Sequence, residues 1–206
     1  MKYPILPAAF ALLAAPALAG SPEALVFQAP EVVPAAQTDW SGFYAGGLVS
    51  FDSAVGLLQL QPGGNSPMLD STSYGAFAGY NIQKGAFVYG GEFAVSSGGL
   101  TSTIASSIYY EQVFDLKARA GYSFGKIFAY GVVGGSYSNL HWNNLGLAAP
   151  SYGLAFGAGV EYMLGDHMVV GAEYLVRGLS GEFNNGNGQV ASTTIQSAQL
   201  RVGWKF

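Results

Sequence analysis

From Trp40 to Phe206 the chain alternates between apolar and polar positions with a period of two. In FDLKARAGYSF (114–124), Phe114, Leu116, Ala118, Ala120 and Tyr122 share one face, while Asp115, Lys117, Arg119, Gly121 and Ser123 share the other. AQLRVGWKF (198–206) sets Ala198, Leu200, Val202, Trp204 and Phe206 against Gln199, Arg201, Gly203 and Lys205. MVVGAEYLVRG (168–178) opposes Met168, Val170, Ala172, Tyr174 and Val176 to Gly171, Glu173 and Arg177. A period of two is the mark of a β-strand, whose successive side chains point to opposite faces. The pattern predicts eight strands, at 40–51, 72–83, 86–97, 109–123, 127–138, 150–163, 167–179 and 194–206. The facing of the first, second and fifth stays open. QKGA, FGKI and LGDH make short turns, and they alternate with long connections at 52–71, 98–108, 139–149 and 180–193. Short turns at one end and long loops at the other describe an up-and-down antiparallel sheet, and eight strands suffice to close it.

Which face is wet follows from what each face carries. GGEF (90–93), GVEY (159–162) and GAEY (171–174) each place a glutamate two residues after a glycine and directly before an aromatic ring. A closed eight-stranded barrel has little interior volume, so glycines and a few long polar side chains fit inside better than rings. The apolar faces therefore point outward into lipid. The fold class is all-β: an eight-stranded antiparallel up-and-down transmembrane β-barrel, whose closure satisfies the backbone groups that lipid cannot. The basic residues agree. Lys84 and Lys126 lie in short turns, whereas Lys117, Arg119, Arg177, Arg201 and Lys205 all fall on the proposed inner face. Rings at the strand ends should form two girdles. Trp40, Tyr122, Phe124, Tyr162, Trp204 and Phe206 belong at the short-turn end, and Tyr109, Tyr110, Tyr137 and Tyr152 at the other.

Residues 1–19 read as a cleaved secretory signal: Lys2, an apolar stretch, then Ala-Leu-Ala at 17–19. Residues 20–39 form a Pro/Ala-rich lead-in, and the barrel occupies 40–206. The formal net charge of −4 argues against a nucleic-acid partner, and the lack of cysteine excludes thiol chemistry.

For catalysis the chain offers His141, in the third long loop, and His167, beside a short turn at the opposite end. No Ser-His-acid grouping is present, so no enzyme, metal or cofactor is expected. The interior charges are the candidate site. Glu92, Asp115, Glu161 and Glu173 face Lys117, Arg119, Arg177, Arg201 and Lys205 inside a narrow lumen, a near balance that implies paired side chains. Placing His167 near the level of Phe206 sets Glu173 approximately opposite Arg201, to within about two residues because of barrel tilt, and the same reasoning sets Glu92 near Lys117 or Arg119. The glycine beside each glutamate would leave room for the cation. Such a lumen is a plug; a weak or gated pore is the alternative.

WSGFYAGG at 40–47, GAGVEYML at 157–164, GAEYLVRGL at 171–179 and LRVGWKF at 200–206 together resemble the small outer-membrane barrels of alphaproteobacteria. That family includes surface antigens and haemin-binding proteins, and it is similar to the membrane domain of outer-membrane protein A. The resemblance implies an outer-membrane location, with lipid as the surroundings. It also implies insertion by the barrel assembly machinery, with Leu200, Val202, Trp204 and Phe206 as the assembly signal. A structural surface protein is the first reading. A weak porin for small polar solutes, or a haemin binder using His141 and Trp142, is the alternative.

Overall fold

The structure is a computed structural model that describes residues 38–61, 65–67, 69–97, 108–143, 146–183, 188 and 190–206. The expected signal and nearly all of the lead-in lie outside the described residues. Nine strands follow in order: β1 (Gly42–Gln61), β2 (Asn65–Pro67), β3 (Ser71–Lys84), β4 (Phe87–Ser97), β5 (Ile108–Phe124), β6 (Ile127–Trp142), β7 (Leu147–Leu164), β8 (Met168–Glu182) and β9 (Val190–Lys205). Each of the long strands pairs antiparallel with its neighbours, and β1 pairs with β9 to close a ring of eight staves. The short β2 folds back on the far end of β1, at Leu57–Gln59, in a stretch expected to be loop. The turns Gly85–Ala86 and Gly125–Lys126 each begin with a glycine at φ 61°. A positive φ at the first of two turn residues matches the twist of a tight hairpin, and glycine adopts it without strain.

The outward face is apolar from girdle to girdle. On β7 it reads Tyr162, Val160, Ala158, Phe156, Leu154, Tyr152, all exposed. Ten residues at about 3.3 Å each, tilted about 40°, span roughly 25 Å, the height of an outer-membrane apolar band. At the long-loop boundary the rings run in a ladder: Phe93–Phe114 at 6.3 Å, Phe114–Tyr137 at 6.1 Å and Tyr137–Tyr152 at 5.0 Å between centroids. Phe43 and Tyr80 (4.7 Å), Phe87 and Tyr122 (5.5 Å), with Trp204 and Phe206, mark the other boundary. Two rings expected in the girdles are not there. Trp40 and Tyr110 face the interior and are buried.

The strands also run further than the alternation predicted, because the alternation inverts. Within the band β9 places Gln199 and Arg201 inside and Leu200 and Val202 outside. Beyond Ser197 it buries Ile195 and Ala191, while Ser192, Thr194 and Gln196 face outward. On β8 Leu179 is buried beside exposed Ser180, and on β6 Leu140 is buried beside Asn139. Past the lipid the wall meets water, so the side that must be apolar changes. There Tyr110, Leu140, Ala149, Leu179, Phe183, Ala191 and Ile195 form a core inside the barrel.

The interior is also richer in rings than expected. Tyr44, Phe77, Phe128 and Tyr130 all point inward. Glycines facing them make the space. A Cβ at Gly159 would come within 2.5 Å of the Tyr130 ring, and one at Gly79 or Gly46 would collide with Tyr44 or Phe77.

Candidate functional site: the charged lumen

Midway along the barrel, three glutamates and three cations form one cluster, every member buried. Glu92 on β4 meets Lys117 Nζ at 2.9 Å and Arg119 Nη1 at 3.1 Å, both on neighbouring β5, and Arg201 from β9 grips its two oxygens. Glu173 on β8 meets Lys117 Nζ at 2.5 Å and Arg201 Nη1 at 3.2 Å. Glu161 on β7 meets Arg119 Nη2 at 2.6 Å and Arg201 Nε at 3.6 Å. The pairs thus cross the lumen as well as following the sheet.

Two tyrosines complete the cluster. The Tyr44 hydroxyl donates to Glu92 at 3.0 Å, and the Tyr130 hydroxyl lies 3.0 Å from Glu173 and 3.2 Å from Glu161. Tyr130 also lays its ring against the Arg119 guanidinium, 4.0 Å from the centroid, as Phe77 does for Arg201 at 4.0 Å. A cation over an aromatic face is attracted by the ring's quadrupole, and the attraction strengthens away from water.

Toward the long loops a second polar layer follows. Arg177 holds Asp115 with two parallel bonds, Nε–Oδ1 at 2.9 Å and Nη2–Oδ2 at 2.7 Å. Such a fork is the strong geometry for guanidinium and carboxylate. Ser136 donates to Asp115 at 2.5 Å. Asp52 receives the hydroxyls of Ser50 (2.6 Å), Ser73 (2.5 Å) and Ser197 (2.5 Å). Charge and desolvation oppose one another here, and the bonds on nearly every oxygen offset the cost of burial.

The structure therefore brings Glu92, Asp115, Lys117, Arg119, Glu161, Glu173, Arg177 and Arg201 together in the lumen. Lys205 stays apart: it lines the short-turn mouth, and among the described residues it has no salt bridge. Glu92 stands opposite Lys117 on β5. Glu173 stands opposite Gln199, and Arg201 opposite Gly171, so the two charges lie two residues apart in register, within the latitude left by barrel tilt. The side chains span that offset. The space beside each glutamate is also used differently from the expectation: Gly159 accommodates Tyr130, Gly90 the side chain of Asn81, and Gly171 that of Glu161 itself. Sequence reasoning missed Asp52, Tyr44 and Tyr130, because the facing of their strands was undecided or, for Asp52, because the position was assigned to a loop.

His141 is not in a loop but on β6, paired with Ala148. Its Nε2 lies 3.0 Å from Glu111, and its ring stacks on Tyr109 with centroids 5.7 Å apart. The side chain of Trp142 lies outside the described residues. Leu200, Val202 and Trp204 are exposed on the outer face, and Phe206 donates its backbone N–H to the Phe43 carbonyl at 2.9 Å.

The model of the outer membrane protein beta-barrel domain matches residues 6–206. The chain belongs to this outer-membrane β-barrel family. It is 30% identical over 216 residues to the 25 kDa outer-membrane immunogenic protein of Brucella canis, with 95% of this chain and 94% of that protein covered. The protein of the same description from Brucella ovis is 32% identical over 212 residues, with the same coverage. Among solved structures, Neisserial surface protein A is similar in fold, with a TM-score of 0.51 at 18% identity, covering 81% of this chain and 98% of that one. The protein is thus an outer-membrane β-barrel. In such barrels the short turns face the periplasm and the long loops face outward.

Proposed function

We propose that this outer-membrane barrel is a structural surface protein whose lumen is closed by its own paired charges. The observation that carries the reading is the buried cluster of Glu92, Glu161 and Glu173 with Lys117, Arg119 and Arg201, equal in acids and bases. A solute would have to part several ion pairs at once, each partner then being left desolvated and unpaired, at about 3–5 kcal/mol per broken pair. Apolar packing lies on both sides of the cluster. The Tyr110–Leu140–Leu179 core sits outward of it, and Trp40, Val88, Phe128 and Met163 sit toward the periplasm. Haem ligation through His141 Nε2 would have to displace Glu111, whose contact leaves only Nδ1 for a ligand. Refolded protein in planar bilayers should give no steady single-channel current at moderate voltage. Regular conductance steps that persist after purification by two independent routes would overturn this reading in favour of a pore.

A further inference from the structure

Trp40 stands just before β1, and its ring turns into the barrel instead of outward. The indole is 2% exposed and packs on Phe128, with centroids 5.3 Å apart. Its Nε1–H donates to the Gly125 carbonyl at 3.3 Å, in the turn between β5 and β6. Its backbone N–H donates to Gln83 Oε1 at 2.7 Å, and Gln83 is anchored through its amide nitrogen to the Gly85 carbonyl at 2.8 Å. Two turns on different parts of the rim thus hold the residue, one through its ring and the other through its backbone. A strand-end tryptophan with no inward role belongs at the headgroup boundary, as Trp204 does.

Against the indole lies a cavity of about 20 Å³, lined by Tyr44, Phe77, Asn81, Glu161, Arg201 and Lys205. Among the described residues Asn81 Oδ1 and Arg201 Nε are buried without a hydrogen-bond partner, Arg201 Nε lying 3.6 Å from Glu161, beyond hydrogen-bond distance. One is an acceptor and the other a donor, and the space holds about one water, which needs two to four polar partners. Glu161 and Arg201 belong to the central cluster, so this cavity adjoins the cluster on its periplasmic side. On the outer side the lumen is filled by the apolar core of the extended wall.

We propose that the periplasmic mouth of the lumen is a hydrated pocket and that Trp40 is its stopper. Water reaches the charge cluster from the periplasm, where the Trp40 ring moves aside from its packing on Phe128, and not from the cell surface. The inference rests on the closed-lumen reading and deepens it, because it assigns the closure at one end to one side chain.

The chain has no cysteine, so a single introduced thiol reports alone. Asn81→Cys puts that thiol in the cavity. Asp166→Cys, in an exposed turn, counts the vesicle-inserted barrels whose periplasmic end faces the added reagent. With Trp40 intact, a small charged methanethiosulfonate should modify the Asn81→Cys protein slowly. Adding Trp40→Ala should speed modification about tenfold or more, because local opening no longer has to come first. Modification should stop at the fraction given by the turn thiol. A rate indifferent to Trp40→Ala, or modification of the oppositely oriented barrels, would overturn the proposal. A second measurement leaves Trp40 in place. With Trp142→Phe and Trp204→Phe, emission from Trp40 alone should resist acrylamide, and quenching equal to that of a free indole would also overturn it. Steady channel current bears on the closed-lumen reading instead, so the two can fail separately.

Discussion

Replacing Glu92 by glutamine is the sharpest perturbation of the central cluster, because this one carboxylate binds Lys117, Arg119 and Arg201 and accepts the Tyr44 hydroxyl. Glutamine keeps the shape. However, it turns one acceptor oxygen into a donor that faces cations, and it leaves the cluster with one excess positive charge. Removing one partner of a buried pair costs about 3–5 kcal/mol. Each cation keeps a second carboxylate here, Lys117 and Arg201 at Glu173 and Arg119 at Glu161, which holds the expected loss near the lower end, about 3 kcal/mol. Arg201→Gln should cost a similar amount. In the double variant neutrality returns, so the two losses should fall short of additivity by about 1–3 kcal/mol. Reversible urea unfolding in lipid vesicles, read from the different gel mobilities of folded and unfolded barrel, measures all four corners of the cycle. Strict additivity, or a Glu92→Gln protein as stable as the parent, would refute the claim that these charges hold the barrel together. Glu173→Gln with Arg201→Gln is a second cycle and should deviate in the same direction.

The space-making role of Gly159 is tested by Gly159→Ala, which drives a methyl group into the Tyr130 ring and should destabilise by about 1–3 kcal/mol. Combining it with Tyr130→Leu should return part of the loss if that contact is the cause, and no recovery would refute the assignment. Spin labels at 122 and 162 should report headgroup depth, and labels at 116 and 154 the hydrocarbon; aqueous exposure of all four would contradict the apolar band. Deleting Phe206 should lower the yield of inserted protein in cells, and unchanged insertion would exclude this residue as the assembly signal.

How much of this was legible in the sequence differs by feature. Asp115, Lys117 and Arg119 alternate with Leu116 and Ala118 without interruption, so β5 declared both its faces. The first and fifth ring strands did not. β6 carries Phe128, Tyr130 and Val132 on its inner face and Ile127 and Val133 on its outer face, so hydrophobicity alone offers no contrast. Only the glycines across the lumen, which make room for those rings, explain why aromatic residues fit inside. The missed strand ends have a different cause. Ser180, Ser192 and Thr193 read as loop composition because the apolar positions change phase just where the wall leaves lipid, and a pattern search takes a change of phase for an end.

The sequence by itself determined the wall: strand type, the inward placement of most charges, the apolar band and the turns. Each of these depends on neighbours along the chain, where a period of two leaves no freedom about the face. Tertiary structure decided the partners. Arg201 reaches Glu92 across 109 positions in the chain, and Arg177 reaches Asp115 across 62. Those meetings depend on the tilt and stagger with which eight strands close, and these set the level of each residue inside the barrel. Alternation is blind to that level. A shift of two residues preserves every face while changing which charges stand beside one another, as the offset between Glu173 and Arg201 demonstrates.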